Sequence, residues 1–236
     1  MNPECKTLIL GRRKLTAKLL KGGTGEPLLY LHGAVASVGW NPFLNIMSQK
    51  YTVYAPFQPG FEEVEGIESL DDIIDLALYY LDLLDEIGIN QIKVVGHFLG
   101  AMVAAEMAAL CPHSITEIVL CAPVGFWHEN TPVRDIFTMN SRQIREEMWY
   151  NPNCPSAEEV IPGPITDKME LQLPLEQMIN LGAAAKFLWP IPDKGLERRI
   201  HRITAPVLLV WGDIDRIVPL DYAHDFQKRL KYAETT

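Results

Sequence analysis

Three short segments of the sequence carry groups that can exchange protons or donate hydrogen bonds. Each of them directly follows an apolar run. A histidine–glycine pair follows Leu28–Leu31, Gly96–Gly100 follows a β-branched run, and Asp215 follows Pro206–Trp211. An imidazole, a carboxylate and backbone N–H groups at a strand-to-helix turn are the parts of an acyl-transfer site. Taken singly, each segment is also typical of a strand end, a chance glycine spacing or a helix cap.

The elements that must position these segments alternate between strand and helix. The sequence predicts helices over Ser69–Gly88, with Ser69 as the N-cap and Asp72 in a capping box, and over Leu99–Leu110. This alternation indicates an α/β fold, with a mostly parallel sheet and helices on both faces. Apolar runs predict its strands at Leu28–Leu31, Tyr51–Ala55, Ile92–Gly96, Thr116–Cys121 and Pro206–Trp211.

Two further regions complete the predicted organisation. Thr7–Leu10 and Leu15–Leu20 predict two short strands at the start of the chain. After residue 122, prolines separate short amphipathic pieces such as Ser141–Trp149 and Leu175–Leu188, and the strand pattern resumes only later. We therefore predict a core over 1–122, a helical insertion over 123–200 and the second part of the core over 201–236.

Composition argues against several classes of protein. The 236 residues are 48% hydrophobic and carry a formal net charge of −9, without a long basic stretch, which argues against a nucleic-acid partner. The four scattered cysteines fit neither a disulfide framework nor a metal site, and they predict reduced thiols in a cytoplasmic protein. No signal peptide or membrane-spanning run is visible, and we expect no cofactor and no membrane partner.

In their order, these segments resemble the α/β-hydrolase fold superfamily, and specifically its capped serine hydrolases, over nearly the whole chain. The family motif G-x-S-x-G corresponds here to Gly96–Gly100, and the proline-rich insertion resembles the family's cap. The resemblance implies an acid at Asp215, a nucleophile position at Phe98, and oxyanion-hole N–H donors at Ala34 and Leu99. It also implies substrate contacts at His32, Gly33, Val35, His97 and Trp127.

The first departure from the family is the residue at the nucleophile position. Phe98 has neither a lone pair nor an ionisable proton, so its benzyl group cannot form an acyl-enzyme. Loss of the nucleophile from a catalytic triad lowers turnover by roughly a million-fold.

The second departure lies after the acid. The family's histidine follows one more strand, whereas here the sequence predicts only a helix at Leu220–Leu230 and a few polar residues. His224 lies inside that helix and is a poor substitute for the triad histidine. We therefore expect the final strand, the final helix and the triad histidine to be missing, as in a fragment of a longer product. The strand at Pro206–Trp211 would then be an open sheet edge, through which the chain could self-associate.

Several residues allow a structural interpretation beside the functional one. Phe98 is either a pocket residue or part of the core. The tryptophans of the insertion either line an apolar pocket or only pack, and they are Trp127, Trp149 and Trp189. We expect His97 to be a hydrogen-bonded structural histidine and Cys121 to be an inert buried thiol, since no base or electropositive neighbour is evident for it.

The sequence therefore predicts a protein descended from a serine hydrolase of esters or C–C bonds, with that chemistry absent or severely impaired. The alternative is a non-catalytic pseudo-hydrolase that binds a small apolar ester, ketone or similar ligand in the retained pocket. A third possibility is a scaffold that associates through the exposed sheet edge.

Overall fold

The computed structural model describes residues 3–11, 14–35, 38–161 and 172–236, so part of the predicted insertion, residues 162–171, lies outside the described residues. In chain order the strands and helices are β1 (Glu4–Leu10), β2 (Leu15–Gly22), β3 (Glu26–Leu31), α1 (Pro42–Met47), β4 (Tyr51–Pro56), α2 (Ile73–Glu86), β5 (Ile92–His97), α3 (Leu99–Leu110), β6 (Ile115–Cys121), α4 (Ser141–Met148), α5 (Pro155–Val160), α6 (Gln172–Leu188), β7 (Val207–Val210), α7 (Asp221–Arg229) and β8 (Ala233–Thr235).

The strands form one eight-stranded sheet in the order β1-β2-β4-β3-β5-β6-β7-β8. The first two pairings, β1 with β2 and β2 with β4, are antiparallel, and all the others are parallel. The predicted α/β fold class is therefore confirmed. The carboxyl ends of the parallel strands meet at one edge of the sheet, where ligand sites of such folds usually lie.

Side chains alternate between two cores, one on each face of the sheet. In β3, Leu29 and Leu31 belong to the larger core, which also holds the buried sides of α2, α3 and α7. Leu28 and Tyr30 point the other way, into a smaller core that includes Leu44 of α1. Helices thus cover both faces, as parallel strands require.

Helix α3 is the most deeply buried helix among the described residues, and it carries one charged side chain into the core. Glu106 is fully buried, and Arg199 binds both of its carboxylate oxygens at 2.7 Å. This two-point ion pair satisfies a carboxylate that would otherwise be very costly to bury. It ties the helix that follows β5 to the segment that precedes β7.

The bounds predicted from the sequence agree with most observed elements within a few residues, but the predicted start of α2 was wrong. Ser69 ends a separate short 3-10 turn, Ile67–Ser69, and the N-cap of α2 is Asp72. The Asp72 carboxylate accepts hydrogen bonds from the N–H groups of Ile74 and Asp75 at 2.8 and 3.0 Å. Both residue types cap helices well, so the sequence alone did not distinguish them.

The expectation that no strand follows the last helix was also wrong. β8 pairs in parallel with β7, with Val207 opposite Ala233 and Leu209 opposite Thr235. β7 is therefore not an open edge, and the predicted self-association loses the feature on which it rested. The three residues of β8 have no apolar run, and their pairing depends on α7 returning the chain beside β7.

Two short helices, α1 and α5, were absent from the sequence prediction. Each has six residues, too few for a clear helical period, and each begins with a proline.

Candidate active site

The turn between β5 and α3 carries Phe98 in a strained backbone conformation. Its φ is +51° and its ψ −107°, which a residue with a Cβ adopts at a cost of roughly 1–3 kcal/mol. Its N–H donates to the carbonyl oxygen of Cys121 at 2.9 Å, and its own carbonyl accepts from Met102 at 3.1 Å. The turn is thus held from both sides, by β6 and by the first turn of α3.

The two glycines of the motif are required by close contacts between backbones. A Cβ on Gly100 would lie 2.1 Å from the carbonyl oxygen of Leu31, and one on Gly96 would lie 2.5 Å from the carbonyl oxygen of Gly100. Real Cβ atoms do not approach other atoms so closely, so both positions need glycine. The local geometry of a strand–turn–helix elbow is therefore present, with Phe98 at its tip.

Phe98 lines a cavity of about 380 Å³ at this edge of the sheet. The side chain is only 9% exposed, and it also packs against the larger core, so both interpretations of Phe98 from the sequence hold in part. Ala34, Val35 and Asp215 line the same cavity. The structure thus brings together segments that are far apart in the sequence.

Asp215 is held by backbone donors. Its Oδ1 accepts hydrogen bonds from the N–H groups of Ile217 and Val218 at 2.9 and 2.8 Å. Partial burial raises the pKa of Asp215, and these two hydrogen bonds oppose the rise because they stabilise the charged form. Among the described residues, no histidine forms an ion pair with this carboxylate.

His97 also faces the cavity, and its environment differs from the one expected. Its Nδ1 is buried and has no hydrogen-bond partner in the described part of the chain, so the prediction of a hydrogen-bonded structural histidine was wrong. Burial lowers its pKa, because the charged imidazolium is poorly solvated there. Burial thus favours the neutral form of the ring.

His32 positions the loop that leads to Ala34. Its Nδ1 lies 2.8 Å from the carbonyl oxygen of Gly33, and its Nε2 lies 3.1 Å from the backbone nitrogen of Gln58. Since the Gln58 N–H can only donate, Nε2 accepts and Nδ1 donates. Burial lowers the pKa of His32 to about 4. His32 and Gly33 are not among the residues lining the cavity, and we assign the imidazole a positioning role.

The remaining candidates occupy different places. Leu99 is the first residue of α3 and is fully buried, so its N–H belongs to the unpaired donors of a helix start, as an oxyanion hole needs. Trp127 is not among the residues lining the cavity, and its Nε1 donates instead to Glu129 at 3.1 Å.

The end of α4 supplies further cavity residues, of which the sequence indicated only Trp149, as a residue that either lines a pocket or packs. Glu147, Met148 and Trp149 line the cavity together with the loop around Asp215. This contact is fixed by a hydrogen bond from the guanidinium of Arg216 to the carbonyl oxygen of Glu146, at 2.8 Å. Spacing along the sequence carries no signal for such a contact between distant segments.

A second cavity, of about 660 Å³, lies on the other side of His97. It shares Val35 and His97 with the first cavity and is bounded by α1, α5 and α6. Cys121 lines this second cavity, and burial raises its pKa, which keeps the thiol protonated. His97 is the register partner of Cys121 on the neighbouring strand β5. The sequence alone did not reveal this imidazole beside the thiol.

Among the described residues, none of the helices has both the length and the apolar character needed to cross a bilayer. No three or more His, Cys, Asp or Glu side chains in that part of the chain are grouped so that they could hold a metal ion.

Curated relatives are similar over most of this chain but are longer. A 2-hydroxy-6-oxo-6-phenylhexa-2,4-dienoate hydrolase from Burkholderia cepacia is 25% identical over 219 residues, covering 85% of this chain and 75% of that protein. A pimeloyl-[acyl-carrier protein] methyl ester esterase from Photobacterium profundum is 27% identical over 220 residues, covering 87% and 83%. The acetyltransferase component of an acetoin cleaving system from Cupriavidus necator is 24% identical, and this chain spans 64% of its length.

Solved structures share the fold. The 2-hydroxy-6-oxo-6-phenylhexa-2,4-dienoate hydrolase from Rhodococcus superposes with a TM-score of 0.71 at 23% identity, covering 100% of this chain and 90% of that one. A meta-cleavage product hydrolase from Pseudomonas fluorescens gives 0.76 at 16% identity, covering 98% and 87%. The model of the "Alpha/beta hydrolase family" matches residues 28–235. With the elbow, the parallel sheet and this match over most of its length, the chain belongs to the alpha/beta hydrolase family.

Proposed function

We propose that this chain retains the ligand-binding cavity of an α/β hydrolase and has lost covalent catalysis at the elbow. The observation that carries the proposal is Phe98, which occupies the strained tip of the elbow and lines the cavity. Acyl transfer needs an atom with a lone pair at this position, and a benzyl group has none. Hydrolysis through an acyl-enzyme would therefore be absent or severely impaired.

The ancestry of the site is that of a serine hydrolase of esters or C–C bonds. The relatives named as a dienoate hydrolase and as a methyl ester esterase support this, because both reactions cleave a bond next to a carbonyl carbon. In this chain, Ala34 and Leu99 would donate N–H groups to a ligand oxygen, and Asp215 would hold the acid position. These assignments rest on the elbow geometry and on the placement of Ala34, Phe98 and Asp215 around one cavity.

Binding without turnover is the function that this geometry supports best. The cavity has the size of a small-molecule site. Helices α4, α5 and α6 lie between β6 and β7 and contribute walls to the two cavities, which supports their role as a cap that selects the ligand. The ligand would be a small molecule such as an ester or ketone.

The test compares the unaltered chain with Phe98→Ser. A fluorophosphonate, which reacts with activated serines, is incubated with each protein, and the adduct is located by mass spectrometry. Turnover of p-nitrophenyl acetate is measured in parallel. We expect no saturable turnover and no adduct at residue 98 in the unaltered chain, and an adduct on residue 98 of the variant when imidazole is added as the general base that the site lacks.

Ile46→Ser is the matched control, because Ile46 is an exposed apolar residue on α1 that lines neither cavity. It should leave both measurements unchanged. Saturable turnover by the unaltered chain that Asp215→Asn abolishes would contradict the proposal. Failure of Phe98→Ser to form the adduct with imidazole present, in a protein that is still folded, would contradict the inference that the elbow is intact.

A further inference from the structure

The cavity at the elbow has an unbalanced charge. Three carboxylates line it, those of Glu147, Asp213 and Asp215, whereas the described lining residues include one arginine, Arg216, and no lysine. The Arg216 guanidinium is directed to the carbonyl oxygen of Glu146, and it is exposed at the rim. Inside the cavity wall the charge is therefore mainly negative.

Two of these carboxylates, those of Asp215 and Glu147, are half-buried, and both can still accept hydrogen bonds from a ligand and attract a positive charge. The backbone donors to Asp215 both bind Oδ1. Glu147 forms a long ion pair with Arg134, whose Nη2 lies 3.9 Å from the Glu147 Oε1. The raised pKa of Asp215 follows from burial, and a cationic ligand would reverse that effect.

Aromatic rings form another part of the same wall. Phe98 and Trp149 line the cavity together with Asp215. Aromatic faces attract cations through their quadrupole, and rings combined with carboxylates are a common setting for quaternary ammonium groups. Phenylalanine in place of serine at residue 98 adds such a ring at the tip of the elbow.

An unpartnered polar atom on the same wall independently points to a ligand. The Nδ1 of His97 is buried in a lining residue and has no hydrogen-bond partner among the described residues. Buried polar atoms are almost always paired, so this nitrogen calls for a partner other than the described residues, and a ligand in the cavity can supply it. A hydroxyl, ester or ketone attached to the cation would supply a group within reach of this imidazole or of the oxyanion-hole donors.

We propose that the ligand of this cavity is a small organic cation, with an alkylammonium group held between the Asp215 and Glu147 carboxylates and the rings of Phe98 and Trp149. The inference rests on the proposed function, in which the cavity binds without turning over its ligand. It narrows the ligand from small carbonyl compounds in general to those that carry a positive charge. The net charge of −9 would favour the approach of such a ligand.

The experiment compares two molecules of the same shape and different charge. Choline and 3,3-dimethylbutan-1-ol differ in one atom, a charged nitrogen in place of a carbon, so their affinities separate the charge from the burial of methyl groups. Binding of each is measured by isothermal titration calorimetry at low and at high salt. We expect choline to bind at least about tenfold more tightly, and high salt to weaken choline but not the alcohol.

Three variants locate the effect. Asp215→Asn keeps an oxygen acceptor for the two backbone N–H donors and removes the charge, so it should weaken choline about tenfold and leave the alcohol unchanged. Glu147→Gln should act in the same direction and serves if Asp215→Asn does not fold. Asp85→Asn, at an exposed position on α2, is the matched control and should change neither affinity.

Each outcome decides the inference. Equal affinity for the two probes overturns the organic-cation inference and leaves the proposed binding function standing. No binding of choline up to about 10 mM also overturns it, whereas the loss of covalent catalysis is judged separately by the ester and labelling assays. A preference for choline that survives both Asp215→Asn and Glu147→Gln would place the cation elsewhere and overturn the assigned site.

Discussion

The stability of this protein should fall steeply between pH 7 and pH 5 because of one buried histidine. Burial lowers the pKa of His32 from 6.5 in the unfolded chain to about 4 in the folded one. Between these two values the unfolded state binds a proton and the folded state does not. The free energy of unfolding therefore declines as the pH falls through this window, and the contribution of His32 is fully present only above about pH 6.5.

The size of the effect follows from the shift. Each pKa unit corresponds to about 1.4 kcal/mol, so the full window is worth about 3 kcal/mol, of which about 2 kcal/mol is lost between pH 7 and pH 5. His32 is only 4% exposed, so solvent screens this effect little. Protonation would also remove the Nε2 lone pair that accepts the Gln58 N–H, and so disturb the loop that leads to Ala34.

The measurement is urea unfolding at pH 7, 6 and 5 for the unaltered chain and for His32→Gln, whose amide oxygen can still accept a hydrogen bond. Other groups titrate in both proteins, so the difference between their pH profiles isolates His32. We expect the variant to lose about 2 kcal/mol less than the unaltered chain over this range. His113→Gln, at an exposed histidine, is the control and should keep the full slope. Identical slopes for the unaltered chain and His32→Gln would refute the reasoning.

Two further substitutions test how the elbow and its helix are held. Gly100→Ala places a Cβ against a backbone carbonyl of β3 and should lower the free energy of unfolding by roughly 3 kcal/mol or more. Gly182→Ala in α6 meets open space and should raise the free energy of unfolding by up to about 1 kcal/mol. A similar effect of both substitutions in urea unfolding would contradict the close approach of α3 to β3. Arg199→Met leaves the buried Glu106 carboxylate unpaired and should destabilise by about 3–5 kcal/mol, and adding Glu106→Met should restore most of that loss; a double variant no more stable than the single one would argue against the ion pair as the cause.

The sheet was predictable because its strands are buried on both faces and therefore form short apolar runs. The boundaries of α3 agree with the prediction at both ends, since the elbow fixes its start and Pro112 follows its end. β8 was missed because its three residues carry no such pattern, and their pairing exists only once α7 has packed.

In the candidate site, too, residues in local motifs were predictable and residues placed by tertiary contacts were not. Phe98 and Asp215 were found because each lies at a fixed position in a local motif that directly follows a strand. Glu147 was not, because the end of α4 meets the Asp215 loop through tertiary contacts alone, and for Trp149 the sequence allowed both a pocket role and plain packing. The unpaired Nδ1 of His97 could not be foreseen either, since whether a buried nitrogen finds a partner depends on the exact packing around it.

The strained turn at Phe98 has a consequence for the history of this protein. The turn is held by glycine contacts and by hydrogen bonds of the main chain, none of which involves the side chain at its tip. Phenylalanine and serine codons differ by a single base, TTY against TCY. One point mutation therefore exchanges a ring for a hydroxyl without rebuilding the backbone, so the chemistry at the tip of the turn can change in one evolutionary step while the fold stays the same.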